Sequence, residues 1–259
     1  MGGVGLYFCV YLFGQTEMID IHSHLLYGVD DGADSQETAI QMLKDAAEQG
    51  VRGIILTPHY RRGMFDFDLD AINQAYEVMY AEAEKIGVML YLGCEYHVDS
   101  GITHRLKSGR CLTLAGSDYV LAEYKYTSNY AAIRGSINEL QANGYTPIIA
   151  HAERYEVFIN DVGLLDDCRS MGAMIQINAD SVIGKEGLRT KSLCKKILKA
   201  DLADIVASDS HNMKDRRSHM KEAYMYVSKK YGDNRAKRLF ETNPGKILDV
   251  CQETDVEDC

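Results

Sequence analysis

From Met18 onward, short apolar runs alternate with segments in which apolar residues recur at helical spacing. This alternation is typical of repeated βα units that build a parallel sheet. The runs VRGIILT (51–57), DYVLAEY (118–124) and ADIVAS (203–208) predict buried strands, because strands covered on both faces are apolar throughout. About seven such strands alternate with helices, without a Pro- or Ser-rich linker, which predicts a single α/β domain built as a closed or distorted barrel.

Several predicted helices are marked by residues typical of helix ends. Asp34 and Glu37 can form a capping box for a helix running to about Gly50. Gly87 predicts the end of a long helix over about 68–86, since glycine readily adopts the left-handed conformation found after helices. Further helices are expected at about 130–143, 161–171, 190–200, 215–231 and 233–241.

The two ends of the chain depart from this pattern. The first residues contain an apolar run, Val4 to Phe13, that is too short to span a bilayer and lacks the basic start of a secretory signal. We therefore predict no membrane insertion and a non-native or disordered leader over 1–17, with a weak membrane-associating segment as the alternative. The domain is expected to cover 18–250, followed by an acidic tail over 251–259.

The charge and cysteine content argue against some classes of function. Lys and Arg number 28 against 38 Asp and Glu, so the formal net charge is −10. Nucleic acid is therefore not the expected partner, because binding its backbone needs clustered positive charge. The seven cysteines are scattered without a C-x-x-C pair, which indicates neither a disulfide framework nor a zinc knuckle and favours a reducing cytoplasm.

Metal-capable side chains lie at or just beyond the ends of the predicted strands. In α/β barrels these ends converge on the active site. Each residue alone has a structural explanation, but their repeated position at strand ends favours one shared metal centre. Mixed imidazole and carboxylate ligands suit Mn²⁺, Fe²⁺ or Zn²⁺, and a pair of such ions can activate water against a phosphoryl group. The residues are His22, His24, His59, Glu95, Glu123, His151 and Asp209.

Arginines follow two of these histidines. Arg61 and Arg62 follow His59, and Arg154 follows His151 by three residues. A guanidinium group matches the geometry of phosphate oxygens, so these arginines are candidates for substrate binding, with structural salt bridges as the alternative. Cysteine-dependent tyrosine phosphatases need Cys followed by Arg six residues later, and none of the seven cysteines has that spacing.

The combined motifs resemble a known family. M-I-D-I-H-S-H with D-D-G, T-P-H-Y-R-R-G-M-F, G-C-E, A-E-Y, I-A-H-A-E-R-Y and A-S-D-S-H-N occur in this order. Over about Met18 to Val250 they resemble the CpsB/YwqE family of bacterial protein-tyrosine phosphatases of the polymerase-and-histidinol-phosphatase (PHP) type, encoded with capsular or exopolysaccharide genes. The resemblance implies a PHP-type distorted (β/α)7 barrel. It also implies a cytoplasmic enzyme that hydrolyses phosphotyrosine on a capsule- or exopolysaccharide-regulating autokinase by attack of a metal-bound hydroxide.

The same resemblance implies a centre of up to three divalent ions, normally Mn²⁺, with Fe²⁺ or Zn²⁺ as alternatives. By this resemblance His22, His24, Glu95 and Asp209 hold the first ion. Glu95 bridges to a second ion, which is held with Glu123 and His151. His59 and His211 serve the third ion. Asp31 matches an acidic residue near the leaving group and is the expected general acid, with a metal ligand or a turn residue as alternatives. Arg154 matches a phosphate-binding arginine.

Three other functions stay open at this level. A PHP-type histidinol-phosphate phosphatase would use the same metals on a small amine substrate. A phosphodiesterase or exonuclease is disfavoured by the acidic balance. A non-catalytic regulatory partner of the kinase is expected to have lost ligands, whereas here all the expected positions are filled. The resemblance is also compatible with homo-oligomers.

Overall fold

The fold is described from a computed structural model of the protein, for residues 17–65 and 67–254. The predicted leader, except Glu17, and the last residues of the predicted tail lie outside the described part of the chain. All strand pairings within it are parallel. The strands are β1 (Met18–Ser23), β2 (Val51–Leu56), β3 (His59–Tyr60), β4 (Met89–Leu92), β5 (Glu95–His97), β6 (Tyr119–Glu123), β7 (Thr146–Ile149), β8 (Met174–Asn178) and β9 (Ile205–Ala207).

These strands form two sheets, ordered β1-β2-β4 and β3-β5-β6-β7-β8-β9. Two pairs, β2 with β3 and β4 with β5, are single strands of the barrel interrupted by two residues each. Hydrogen bonding continues across the interruptions, where the Glu95 amide donates to the Pro58 carbonyl at 3.1 Å. The predicted seven strand positions are therefore confirmed.

The first and last strand positions also meet. The Asp209 amide donates to the His22 carbonyl at 2.9 Å, and the His24 amide donates to the Ser210 carbonyl at 2.9 Å. The parallel sheet thus curls into a distorted barrel, which confirms the predicted α/β fold class. Inside the barrel, fully buried Ile21, Ile55 and Ile148 pack together beneath the ends of their strands.

Helices cover the outer face of the sheet. The predicted long helix is confirmed, and it ends at Gly87 with a φ of +72°. One terminal helix runs past the predicted domain limit at residue 250. Within the described residues the α-helices are α1 (Gln36–Glu48), α2 (Leu69–Ile86), α3 (Ile102–Lys107), α4 (Tyr130–Ala142), α5 (Glu156–Asn160), α6 (Leu164–Ser170), α7 (Ala179–Ile183), α8 (Leu188–Lys199), α9 (Met220–Tyr231), α10 (Asp233–Lys237) and α11 (Asn243–Thr254). A π-helical stretch, Arg238–Thr242, joins the last two.

The start of α1 differs from the predicted capping box. Ser35 is the N-cap, and its hydroxyl accepts a hydrogen bond from the Thr38 amide at 3.2 Å. Asp34 instead accepts from the Thr38 hydroxyl at 2.7 Å. The capping box of Asp34 with Glu37 is therefore wrong, because a residue suited to cap a helix lies one position further along.

Among the described residues, no helix combines the length and the apolar character needed to cross a membrane.

Candidate metal centre

The carboxyl ends of the strands bring the predicted metal ligands together. His22 lies near the end of β1, Glu95 begins β5, Glu123 ends β6, and Asp209 follows β9. Three groups of side chains place possible ligand atoms within 4.8 Å of one another. These groups are His22, His24 and Asp209; His59, Glu95 and Glu123; and His24, Asp31, His59 and His211.

The first group surrounds the ring nitrogens of His22 and His24, whose Nε2 atoms lie 3.2 Å apart. Oε2 of Glu95 lies 3.4 Å from each of these nitrogens. Oδ1 of Asp209 lies 3.6 Å from Nε2 of His22 and 3.7 Å from Nε2 of His24. All four side chains are buried. Two imidazoles and two carboxylates thus share one small buried space.

The other nitrogen of each ring is turned to an oxygen. Nδ1 of His22 lies 3.2 Å from Oε1 of Gln176, and Nδ1 of His24 lies 2.8 Å from Oδ2 of Asp30. Such contacts orient imidazoles for metal binding through Nε2. Burial alone would lower the pKa of His24, but the neighbouring carboxylates of Asp30 and Glu95 raise it to about 9. This part of the site therefore favours a positive charge, and a divalent ion fits it.

The two carboxylate oxygens of Glu95 face different imidazoles, including that of His151, which lies outside the three groups above. Its Oε2 faces His22 and His24, while its Oε1 lies 2.8 Å from Nε2 of His151. Oε1 of Glu123 lies 4.0 Å from the same nitrogen of His151. A carboxylate whose two oxygens face different candidate ligands is suited to bridge two ions.

The remaining group contains imidazole nitrogens that need a partner. Nε2 of His59 and Nε2 of His211 lie 3.3 Å and 3.5 Å from Oδ1 of Asp31. Nδ1 of His59 lies 2.9 Å from Oε2 of Glu95, and this nitrogen and Nε2 of His211 are both buried near carboxylate oxygens without a well-formed hydrogen bond among the described residues. Buried nitrogens without a hydrogen bond are costly, and coordination to a cation would satisfy them. The donor set therefore fits a further divalent ion.

Arg154 and a second arginine, Arg216, border the centre. Nη1 of Arg154 lies 2.8 Å from Oδ2 of Asp209. Arg216 lies 3.3 Å from Asp31 and 3.4 Å from Asp209 through its two terminal nitrogens. Burial would raise the pKa of Asp209, but the charges of His22 and Arg154 hold it well below its usual range. Asp209 is thus an ionised carboxylate between metal ligands and arginines.

Arg61 and Arg62 lie outside this cluster. Both line a cavity beside β3, and Nη1 of Arg62 lies 3.8 Å from Oδ2 of Asp99. The structure therefore brings Arg154 to the centre and leaves the other two predicted arginines next to it.

Comparison with known proteins places this centre in a family. A family model for capsular polysaccharide synthesis proteins, CpsB/CapC, matches residues 18–249. The chain belongs to the CpsB/CapC family. Membership confirms the resemblance of the sequence motifs, and the family match spans every ligand group described above.

Relatives of this CpsB/CapC chain match it over most of its length. Tyrosine-protein phosphatase CpsB of Streptococcus pneumoniae is 34% identical over 238 residues, covering 89% of this chain and 98% of that protein. Tyrosine-protein phosphatase YwqE of Bacillus subtilis is 32% identical over 217 residues, covering 83% and 85% respectively. A solved structure, from a study of YwqE and CpsB as metal-dependent tyrosine phosphatases, superposes with a TM-score of 0.84 at 31% identity, covering 90% and 94%. Together with the ligand groups, these matches support a divalent metal centre in this CpsB/CapC protein.

Sequence reasoning missed several residues that support the centre of this CpsB/CapC protein. His97 is one of them, and its Nδ1 lies 2.8 Å from Oε2 of Glu123. Because His97 follows Glu95 by two residues, the same spacing that pairs His22 with His24 could have predicted it. Asp30, Gln176 and Arg216 carry no comparable signal, because each meets its histidine or carboxylate only after the loops and strands assemble.

Proposed function

We propose that this protein is a metal-dependent protein-tyrosine phosphatase. The observation that carries the proposal is the convergence of three His/carboxylate groups, linked through His24 and His59, beside Arg154. Two relatives that match most of the chain are named tyrosine-protein phosphatases. Such a centre suits hydrolysis of a phosphate monoester, because phosphoryl transfer depends on positioning and charge stabilisation.

The proposed ligands are those whose atoms face one another at the carboxyl ends of the strands. His22, His24 and Asp209 would hold one ion together with Glu95, and Glu95 would be shared with the ion held by Glu123 and His151. His59, His211 and Asp31 would hold the third. Bound divalent ions would supply an activated water for attack on phosphorus and would offset charge on the phosphoryl oxygens. We propose Mn²⁺ as the ion, since mixed imidazole and carboxylate ligands suit it, with Fe²⁺ or Zn²⁺ as alternatives.

The arginines at the rim would bind the phosphoryl group. Arg154 and Arg216 both contact Asp209, and a substrate phosphate would take over part of that pairing. A guanidinium donates two parallel hydrogen bonds to phosphate oxygens and stabilises the charge that develops on them. We therefore assign both arginines to substrate binding and to stabilisation of the transition state.

Asp31 is proposed here as a ligand in preference to the general acid. One of its oxygens faces both His59 and His211, as a ligand oxygen should. Contacts with His211 and His59 hold the pKa of Asp31 below its usual range, as suits a carboxylate that binds a cation in its ionised form.

For the physiological substrate, we propose a tyrosine-phosphorylated autokinase of polysaccharide synthesis and a cytoplasmic location. The family description, capsular polysaccharide synthesis, supports that setting. Histidinol phosphate is the alternative small substrate for the same metals. A homo-oligomer remains a prediction.

Turnover of competing substrates tests the proposal. Purified protein with Mn²⁺ is assayed side by side on a phosphotyrosine peptide, the matching phosphoserine peptide and histidinol phosphate. We expect kcat/KM to be highest for the phosphotyrosine peptide. Faster turnover of histidinol phosphate would favour the alternative enzyme, and no turnover of any substrate would favour a non-catalytic partner.

A further inference from the structure

A cavity of about 500 Å³ lies directly beside the metal centre, between the end of β3 and the start of α2. Phe65 lines this cavity and also covers His59. The two rings stack with centroids 5.1 Å apart and planes 3° apart. One aromatic ring therefore separates the cavity from a proposed metal ligand. We call this space the arginine cavity, because its lining includes Arg61, Arg62 and Arg110.

The described lining residues of the arginine cavity carry an excess of positive charge. Asp68 is the carboxylate among its described lining residues, and its Oδ1 already accepts hydrogen bonds from the amides of Asp70 and Ala71 as the N-cap of α2. Within the described residues, Arg61 and Arg110 form no ion pair with a carboxylate. This concentration of guanidinium groups contrasts with the net charge of −10 of the whole chain.

The positive charge of Arg62 is also available to bind an anion. Its side chain is 70% exposed, and the contact with Asp99 at 3.8 Å is at the long end for an ion pair. Exposed pairs of this kind contribute little free energy, so an incoming anion can replace Asp99 at small cost. Among the described residues, the cavity thus offers cationic donors without a close carboxylate partner.

Aromatic rings fix the shape of the arginine cavity. The ring of Tyr60 packs on Phe67 at 5.1 Å and stacks on buried Tyr96 at 4.9 Å between centroids. Tyr96 directly follows Glu95, a proposed metal ligand. The wall of the cavity is therefore tied to the same strand that holds the metal centre.

We propose that the arginine cavity binds an anionic side chain of the phosphoprotein substrate, close in sequence to the phosphotyrosine under attack. This rests on the proposed function. An extended peptide advances about 3.3–3.6 Å per residue, so a residue one or two positions away can pass Phe65 and reach the guanidinium groups. The ligand is a carboxylate or a second phosphoryl group, since both accept paired hydrogen bonds from arginine. Arg61 and Arg62 then serve this neighbouring anion, while Arg154 serves the reacting phosphate.

Three phosphotyrosine peptides test the proposal with Mn²⁺ present. They are identical except that the flanking positions hold Asp, a second phosphotyrosine or Asn. We expect wild-type kcat/KM to be about tenfold higher for the two anionic peptides than for the Asn peptide, the scale of one charge-assisted hydrogen bond. The preference is expected to shrink at 0.5 M NaCl, because salt screens exposed charges.

The variant that removes the two guanidinium groups assigned to this anion is Arg61→Gln with Arg62→Gln. We expect it to lose the preference for anionic flanks. The matched control is Arg134→Gln, which changes an exposed arginine of α4 and should keep the preference. Preference for the Asp peptide without preference for the second phosphotyrosine would identify a carboxylate as the ligand, and the reverse would identify a phosphoryl group.

Two outcomes overturn the proposal. One is equal turnover of all three peptides by wild type, and the other is an unchanged preference in the double variant. p-Nitrophenyl phosphate has no flanking residue, so its hydrolysis reports on the proposed function alone. If wild type hydrolyses this compound but shows no preference among the peptides, the cavity assignment is wrong and the proposed phosphatase activity stands. Absence of turnover on every phosphate ester would remove both.

Discussion

Arg154 contacts Asp209 through Nη1 at 2.8 Å, which places a guanidinium group directly beside a proposed metal ligand. The other two nitrogens of the same guanidinium also contact a carboxylate. Nε and Nη2 of Arg154 lie 3.2 Å and 2.5 Å from the two carboxylate oxygens of Glu186. Glu186 in turn accepts a hydrogen bond from the Ser181 hydroxyl at 2.9 Å. Glu186 therefore fixes the guanidinium of Arg154 on one side, and Nη1 is directed at the metal centre.

Replacing Arg154 by Ala should lower kcat for p-nitrophenyl phosphate by about 10²-fold or more, the scale for losing one stabiliser of transition-state charge. Arg154→Lys should recover little, since an ammonium group lacks the planar fork. Steady-state kinetics with saturating Mn²⁺ measure both. The control is Arg169→Ala, which removes a similar fork paired with Asp204, just before β9 and far from the strand ends that hold the metal ligands. A near-normal rate for Arg154→Ala would refute its assignment.

Replacing Glu186 by Gln should lower kcat by about tenfold, because a neutral amide holds the guanidinium of Arg154 less firmly than a carboxylate. Glu186→Gln should add little once Arg154 is already Ala, since residues that act as a unit are not additive. The measurement is a double-mutant cycle on kcat. Glu222→Gln removes an exposed carboxylate 4.0 Å from Lys185 and serves as the control. Full additivity of the two changes would show that Glu186 acts independently of Arg154.

Replacing Asp30 by Asn should weaken metal binding by about 10- to 100-fold, the usual effect of losing a residue that orients a metal-binding histidine. Asp30 contacts Nδ1 of His24 at 2.8 Å and accepts from the His59 amide at 3.0 Å. Titration of stripped protein with Mn²⁺ should show a higher midpoint and a recovered rate at saturation. Asp34→Asn, four residues along the chain, should leave the midpoint unchanged. An Asp30→Asn midpoint equal to that of wild type would contradict the orienting role.

Replacing Asp31 by Asn distinguishes a metal ligand from a general acid. If Asp31 is a metal ligand, its replacement should slow the hydrolysis of p-nitrophenyl phosphate and of phenyl phosphate by the same factor, because both reactions need the same metals. A general acid should matter more for phenyl phosphate, whose leaving group is the more basic. We expect equal losses, with partial recovery at high Mn²⁺. A loss confined to phenyl phosphate would restore Asp31 as the proton donor.

The sequence predicted the features that depend on local pattern. The seven strand positions and the helix ended by Gly87 follow from periodicity and from the conformational preference of glycine. The predicted ligands at the strand ends converge because parallel strands bring their carboxyl ends to one face.

The features that the sequence did not predict depend on contacts between distant segments. Arg154 and Glu186 lie 32 residues apart, and no periodic pattern links the two segments that carry them. Arg216 meets Asp31 across 185 residues. The short helices α3, α5 and α7 have too few turns for an apolar face to show in the sequence.

Activity of the metal-free protein tests the central claim most directly. The protein is stripped with chelator, and hydrolysis of p-nitrophenyl phosphate is followed during titration with Mn²⁺, for wild type and for His22→Ala. Circular dichroism checks that both proteins stay folded. We predict no turnover without metal, saturable recovery in wild type, and no recovery in His22→Ala at the same concentrations. A rate that stays flat across the wild-type titration, or equal recovery in His22→Ala, would contradict the proposed metal centre.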